Sequence, residues 1–281
     1  MPIWGKLLGT FFGFMFGRLP GAVLGFIVGH LFDKGYSQNF DQMGGFGRFF
    51  GQGDDFKRQA VFFHALFACM GHVAKASGTV TNEEIQMATR LMDQMGLSGD
   101  TRKEAQQAFR EGKAADFPIK DILLEFRESC HGRRDIMQVF LEILIQAAYA
   151  DGSLDSAEQK VLETAASHLG FRKHELLYLL SVYEAELRFR TRSHHRRTYS
   201  HSGPKQSYTD ANSLEDAYKI LGVSKTDDMA QIKKTYRKLM SENHPDKLVS
   251  KGLPKQAMEI AKNKAQDIQA AYELIRKQRE G

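Results

Sequence analysis

His244 and Asp246, separated only by Pro245 in the stretch Ser241–Lys247 (SENHPDK), are the residues whose types and spacing most invite a chemical reading. A histidine and an aspartate separated by one proline could be half of a catalytic machine, or a plug made to fit another protein. The rest is missing: no Ser or Cys nucleophile lies beside His244, and no oxyanion-stabilising loop is visible. Pro245 instead stops a helix and stiffens a turn, presenting both side chains to a partner with less entropy to lose on docking. In the preceding run Lys233, Lys234, Arg237 and Lys238 share one side of a helix, while Ile232, Tyr236, Leu239 and Met240 share the other. The pattern is that of a docking plug with a basic face, not of an enzyme.

A second cluster, Asp151, Asp155 and Glu158, raises a metal reading. Calcium loops of the EF-hand type place acids at alternate positions well before their glycine, whereas here Asp151 directly precedes Gly152. Turn formation and helix capping account for the same residues, so no metal and no cofactor is expected.

The elements that hold the first motif follow from spacing. Ser213 is expected to cap a short helix through Ile220; "LGV" follows, and Asp227 or Asp228 opens a longer helix to about Asn243. A further helix carries Met258, Ala261, Ala265, Ile268, Tyr272 and Ile275 at steps of three and four. The two long helices close as an antiparallel pair with His244-Pro245-Asp246 exposed at the tip.

Residues 213 to about 279 resemble a J-domain of the DnaJ family, through Tyr218-x-x-Leu221-Gly222-Val223, the run Ile232-Lys233-Lys234-x-Tyr236-Arg237-Lys238-Leu239, and His244-Pro245-Asp246-Lys247. The resemblance implies docking on a DnaK-type chaperone and acceleration of its ATP hydrolysis. On that footing Asp246 meets an arginine of the chaperone, and Lys233, Lys234, Arg237 and Lys238 steer toward an acidic patch. Two departures stand out. The Cys-rich zinc domain of full-length DnaJ is absent, and a fourth J-domain helix is either missing or merged with the third.

Upstream, residues 54–190 carry a helical period nearly throughout: Val61 to Ala74, Ile85 to Met95, Ile119 to Phe126, Ile136 to Tyr149, Val161 to Leu169 and Leu176 to Leu187. Thr81-x-x-Glu84 and Thr101-x-x-Glu104 read as capping boxes, Asp155-x-x-Glu158 as a near variant, and Pro118 suits a first turn. The region also repeats itself. "AKASGTVTNEEIQMATRLMDQMGL" from Ala74 aligns without a gap on "AYADGSLDSAEQKVLETAASHLGF" from Ala148, pairing Gly78 with Gly152, Glu84 with Glu158 and Gly96 with Gly170. Two related helical hairpins that pack together are expected. With its "ADGSLDSAE" element the pair resembles the TerB-like domain of tellurite-resistance proteins.

The amino terminus differs from all of this. Leu7 to Gly29 is apolar apart from Thr10 and Arg18. As a helix it would be roughly 35 Å long, enough to cross a bilayer. The run is too long for a signal-peptide core and no small-x-small cleavage site follows. Lys6 alone precedes it, whereas Lys34, Arg48, Lys57 and Arg58 follow, so the positive-inside rule puts the tail outside and the bulk in the cytoplasm. A hairpin turning at Arg18-Leu19-Pro20-Gly21, with both ends cytoplasmic, is the alternative topology. Gly5, Gly9, Gly13, Gly17, Gly21, Gly25 and Gly29 recur every four residues, the small-xxx-small pattern of close helix pairing, and Gly9, Gly13, Gly17, Gly21 and Gly25 are the expected dimer contacts.

Composition bounds the remainder. The formal net charge is +5, yet no nucleic-acid fold or aromatic platform accompanies the basic cluster near Arg188, so nucleic acid is not an expected partner. Cys69 and Cys130, the chain's two cysteines, lie in apolar helical surroundings and fit a reducing compartment. The whole reads as an all-α protein: a short periplasmic tail (1–6), a single transmembrane helix (7–30), a Gly/Phe/Gln linker (31–53), a TerB-like domain (54–190), a basic linker (191–212) and a J-domain (213–281). This order resembles the membrane-anchored DnaJ-like proteins of Gram-negative bacteria. The resemblance implies an inner-membrane co-chaperone, self-associating through its span; the alternative is a membrane scaffold or envelope-signalling adaptor whose J-domain only recruits the chaperone.

Overall fold

The computed structural model describes residues 54–198 and 207–280, and all regular structure there is helical. The expected span, the glycines at 9, 13, 17, 21 and 25, and the linker 31–53 lie outside the described residues. Among the described residues no helix is long and apolar enough to cross a membrane.

Helices α1 (Asp54–Ala76), α2 (Asn82–Gln94), α3 (Gly99–Gly112), α4 (Ile119–Ser129), α5 (Arg134–Ala148) and α6 (Ser156–His168) build the TerB-like region. Its centre is α5, where Phe140, Leu141, Ile143, Leu144 and Ile145 are fully buried, so a helix apolar on nearly every side is surrounded by others. Phe126 of α4 stacks on Phe140 with ring centroids 4.3 Å apart. The crossing of α1 and α3 is set by two glycines. A Cβ at Gly71 would stand 2.0 Å from the Phe109 carbonyl oxygen, and one at Gly112 would stand 1.8 Å from that of Ala68. Only residues without a side chain let these backbones approach so closely.

The internal repeat is visible in hydrogen bonds. At the end of α2, Leu97 N–H donates to the Met92 carbonyl (2.9 Å) and Gly96 N–H to that of Asp93 (2.9 Å). At the end of α6, Phe171 donates to Ala166 (2.8 Å) and Gly170 to Ser167 (3.0 Å). Gly96 and Gly170 both sit at positive φ (63° and 84°), the left-handed stop that glycine adopts without strain. Thr81 and Glu84 form a complete capping box on α2, and Asp155 and Glu158 form the equivalent one on α6. The box expected at Thr101–Glu104 is a correction: α3 begins one turn earlier, Ser98 is its N-cap, and Thr101 is the third helical residue, donating to the Ser98 carbonyl (2.8 Å).

Helix α7 (Lys173–Thr198) runs on past the residues whose composition reads as linker, and α8 begins at Ser207, so residues 191–198 and 207–212 are helical and Ser213 lies inside a helix instead of capping one. Tertiary contacts explain this correction. Asp216, 3% exposed, accepts from both Arg188 (3.1 Å) and Arg192 (2.5 Å), and Arg190 pairs with Asp267. Arginines that read as a solvated basic tract are spent on carboxylates of the last region, and their pairing holds α7 helical.

That region consists of α8 (Ser207–Leu221), α9 (Met229–Glu242), α10 (Pro245–Ser250), a 3-10 turn (Lys255–Ala257) and α11 (Met258–Glu280). Ala217, Tyr218, Ile220, Leu221, Ile232, Ile268, Ala271, Tyr272 and Ile275 form its core, joined by Ala185 of α7. Tyr236 and Tyr272 stack at 4.2 Å with planes 10° apart, closing α9 on α11 as their spacing requires. Met258, expected in this seam, is instead 40% exposed because the 3-10 turn precedes it and Ala257 fills the buried place.

Candidate functional site

Asp228 caps α9, its side chain accepting from the Gln231 N–H at 2.6 Å. The helix then alternates faces. Ile232 is fully buried, while Lys233, Lys234, Arg237 and Lys238 are exposed. Lys238 lies 3.9 Å from Glu242 on its own helix. Among the described residues no ion pair engages Lys233, Lys234 or Arg237, so their charge is presented outward.

Asn243 ends α9, its side-chain amide donating to the Leu239 carbonyl at 2.9 Å. His244 has extended backbone (φ −67°, ψ 125°) and is the N-cap of α10; Pro245 is the first helical residue and Asp246 stands in the first turn. Proline suits that position because its missing N–H would be unpaired there anyway. The carboxylate of Asp246 is favoured by the positive end of the helix. His244 and Asp246 are exposed, and no hydrogen bond or ion pair among the described residues engages either side chain. Lys247 reaches back to the Ser241 hydroxyl (3.0 Å), and Leu248, 1% exposed, anchors the short helix to the core.

The structure thus places Lys233, Lys234, Arg237 and Lys238 on one open helix face whose carboxyl end leads into His244-Pro245-Asp246. The helix α10 that carries this tripeptide is not legible from periodicity, since six residues hold too few repeats. Two further groups escaped the sequence reading. Arg279 donates to the Tyr218 hydroxyl (3.0 Å) and to the carbonyls of Asp227 (2.7 Å) and Lys225 (2.8 Å), tying the end of α11 to the turn before α9. Lys264 of α11 lies 3.0 Å from Glu142 of α5 and 3.6 Å from Glu186 of α7.

Around the second cluster, Asp151 accepts from the Ser153 N–H (3.1 Å), Asp155 from Ala157 (2.7 Å), and Glu158 from Asp155 (3.0 Å). Each carboxylate is used for a turn or a cap. Among the described residues no group of His, Cys, Asp and Glu is arranged to hold a metal ion. Cys69 and Cys130 are buried free thiols, and burial pushes both up, Cys130 to about 11, so neither is a ready nucleophile.

Three family models match the chain in succession: the co-chaperone DjlA transmembrane domain over residues 1–39, tellurite resistance protein TerB over 63–178, and the DnaJ domain over 216–280. The fold and the exposed tripeptide on its helical hairpin accordingly define a J-domain protein that also carries a TerB domain. Full-length relatives narrow this further. The chain is 47% identical over 278 residues to co-chaperone protein DjlA of Photobacterium profundum, covering 99% of each chain. Identity is 50% over 283 residues to that of Aliivibrio fischeri, again covering 99% of each, and 46% over 283 residues to that of Yersinia pestis. The chain belongs to the DjlA co-chaperone family. No solved structure matches it.

Proposed function

We propose that the protein is a membrane-anchored co-chaperone that docks on a cytosolic DnaK-type chaperone through His244, Pro245, Asp246 and the basic face of Lys233, Lys234, Arg237 and Lys238, and stimulates its ATP hydrolysis. The observation that carries this reading is the free, exposed His244-Pro245-Asp246 turn at the start of α10. The family's co-chaperone name and the DnaJ-domain match support it. The protein acts as a regulator, and the chemistry takes place on its partner. His244→Gln keeps size and polarity but removes the imidazole. Stimulation of a DnaK-type ATPase should be lost with helicity unchanged; full stimulation by the variant sinks the reading in favour of a scaffold.

The inner-membrane location, the short periplasmic tail and the cytoplasmic bulk belong to the same proposal, supported by the transmembrane-domain match and by the excess of basic residues after the span. A reporter after Gly281 should behave as cytoplasmic, and a tag before Trp4 should be reached only from outside. The four-residue glycine repeat supports a homodimer through the span. Changing Gly13, Gly17 and Gly21 together to Leu should preserve insertion and sharply reduce association in a membrane reporter. Undiminished association would exclude this interface.

A further inference from the structure

The turn between α4 and α5 reaches across to the helix that carries the tripeptide. His131 and Gly132 both have positive φ (48° and 77°), and this tight turn aims Arg133 back over the end of α4. Its guanidinium donates to the carbonyls of Cys130 (2.7 Å) and Ser129 (3.3 Å). A third donor meets the Lys251 carbonyl at 2.5 Å, and Lys251 is the C-cap of α10. One cation therefore joins the negative ends of two helices, where the partial charge of the terminal carbonyls favours it. Next to it the Lys251 ammonium pairs with Asp135 at 2.5 Å. The approach is close enough that a Cβ at Gly252 would stand 2.5 Å from the Arg133 guanidinium. A crevice of about 560 Å³ separates the same turn, Gly132 to Asp135, from Asn243 and Leu248 on either side of the tripeptide.

We propose that Arg133 and Asp135 of the TerB domain are positioning residues for the chaperone-docking turn, acting through α10; the inference rests on the docking role of His244-Pro245-Asp246. A six-residue helix has too little hydrogen bonding to persist alone, so its orientation is set by what grips its ends. Leu248 and the Arg133 clamp grip one end; the other is the docking turn. Releasing the clamp widens the range of orientations of His244 and Asp246, and the chaperone must then restrict that range on binding. The TerB domain thereby contributes to recruitment without touching the chaperone.

The full chain in detergent or nanodiscs is titrated into a DnaK-type chaperone, and the half-maximal concentration and the maximal ATPase rate are read separately. Arg133→Ala should raise the half-maximal concentration roughly three- to tenfold, the scale of one ordinary hydrogen bond, with the maximal rate unchanged. Amides from Lys247 to Leu253 should exchange hydrogen faster while those of Ile268 to Ile275 do not. Lys251→Gln, a half-exposed site that leaves the backbone intact, should shift the same parameter in the same direction and decides the matter if Arg133→Ala fails to fold. An unchanged or lowered half-maximal concentration, or a loss confined to the maximal rate, overturns the proposal. His244→Gln runs alongside: if it still stimulates, the docking reading has failed; if it is inert while the clamp variants match the parent, only the positioning role has.

Discussion

Glu84 and Glu158, the third residues of two equivalent capped helices, are both buried inside the TerB domain, close enough that the charge of Glu84 bears on Glu158. The internal repeat brings like onto like, so one cap supplies an acid to the other. Burial pushes Glu158 up to about 7; the Asp155 N–H, which donates to it at 3.0 Å, pulls the other way, and the charges of Glu84 and Asp151 add to the rise.

A raised carboxyl pKa means the folded chain holds a proton that the unfolded chain releases at about 4.5. The stabilisation is complete below that value and is lost as pH rises through about 7. The full chain in detergent should melt lower at neutral pH than at mildly acidic pH, by on the order of a few degrees. Glu125, also raised to about 7 by burial and Glu128, contributes in the same direction, so the informative quantity is the difference from Glu158→Gln. That variant keeps a capping side chain and should flatten the pH dependence; an unaltered slope would show that Glu158 does not hold a proton in this range.

The two glycines at the crossing of α1 and α3 make a steric prediction. Gly71→Ala and Gly112→Ala each drive a methyl into a backbone carbonyl that cannot step aside. Each should cost about 1–3 kcal/mol of stability, visible as a lowered unfolding midpoint. An unshifted midpoint would mean that the helices part more easily than the packing implies.

What the sequence disclosed was local. Thr81-x-x-Glu84, the Gly96 and Gly170 stops, and the apolar spacing of Ile232 with Tyr236 and of Ile268 with Tyr272 each depend on neighbours along one chain segment, and the structure contains all of them. The misreadings arose where a distant partner decides. Arg188, Arg190 and Arg192 look like a solvated tract until Asp216 and Asp267 face them. The tripeptide was legible as a motif, but the clamp on its helix was not, because Arg133 and Lys251 are joined by a side chain meeting a carbonyl 118 residues away, which leaves no periodic trace.

Lys264, held between Glu142 and Glu186, predicts an asymmetry between its two ends. Burial alone would lower the lysine, but the two carboxylates hold it protonated well above the usual range; burial pushes Glu186 up in spite of Lys264. One Glu186 oxygen, 3.6 Å from the Lys264 ammonium, has no hydrogen-bond partner among the described residues. Lys264→Met leaves the buried Glu186 carboxylate and the half-buried Glu142 without their cation and should cost about 3–5 kcal/mol, whereas Glu186→Gln should be near neutral or stabilising. Chemical denaturation of both variants separates the cases. Equal losses would mean that the cluster is tuned as a unit.

The outward face of α9 carries charge of one sign. Lys233, Lys234 and Arg237 have no ion pair among the described residues, whereas Lys238 lies near Glu242. Exposed charges of one sign act mainly by steering encounter, an effect that salt screens, and contribute less to the docked state itself. Lys233→Ala with Lys234→Ala should therefore raise the chaperone concentration needed for half-maximal stimulation several-fold at low salt, leave the maximal rate intact, and converge on the parent near 0.3 M salt, where the screening length is on the order of 6 Å. Lys238→Ala should do less, because Glu242 already offsets that charge. Loss of the maximal rate at all salt concentrations would mean that the lysines contact the chaperone in the activated complex, and the face would then be part of the docking plug as well as its guide.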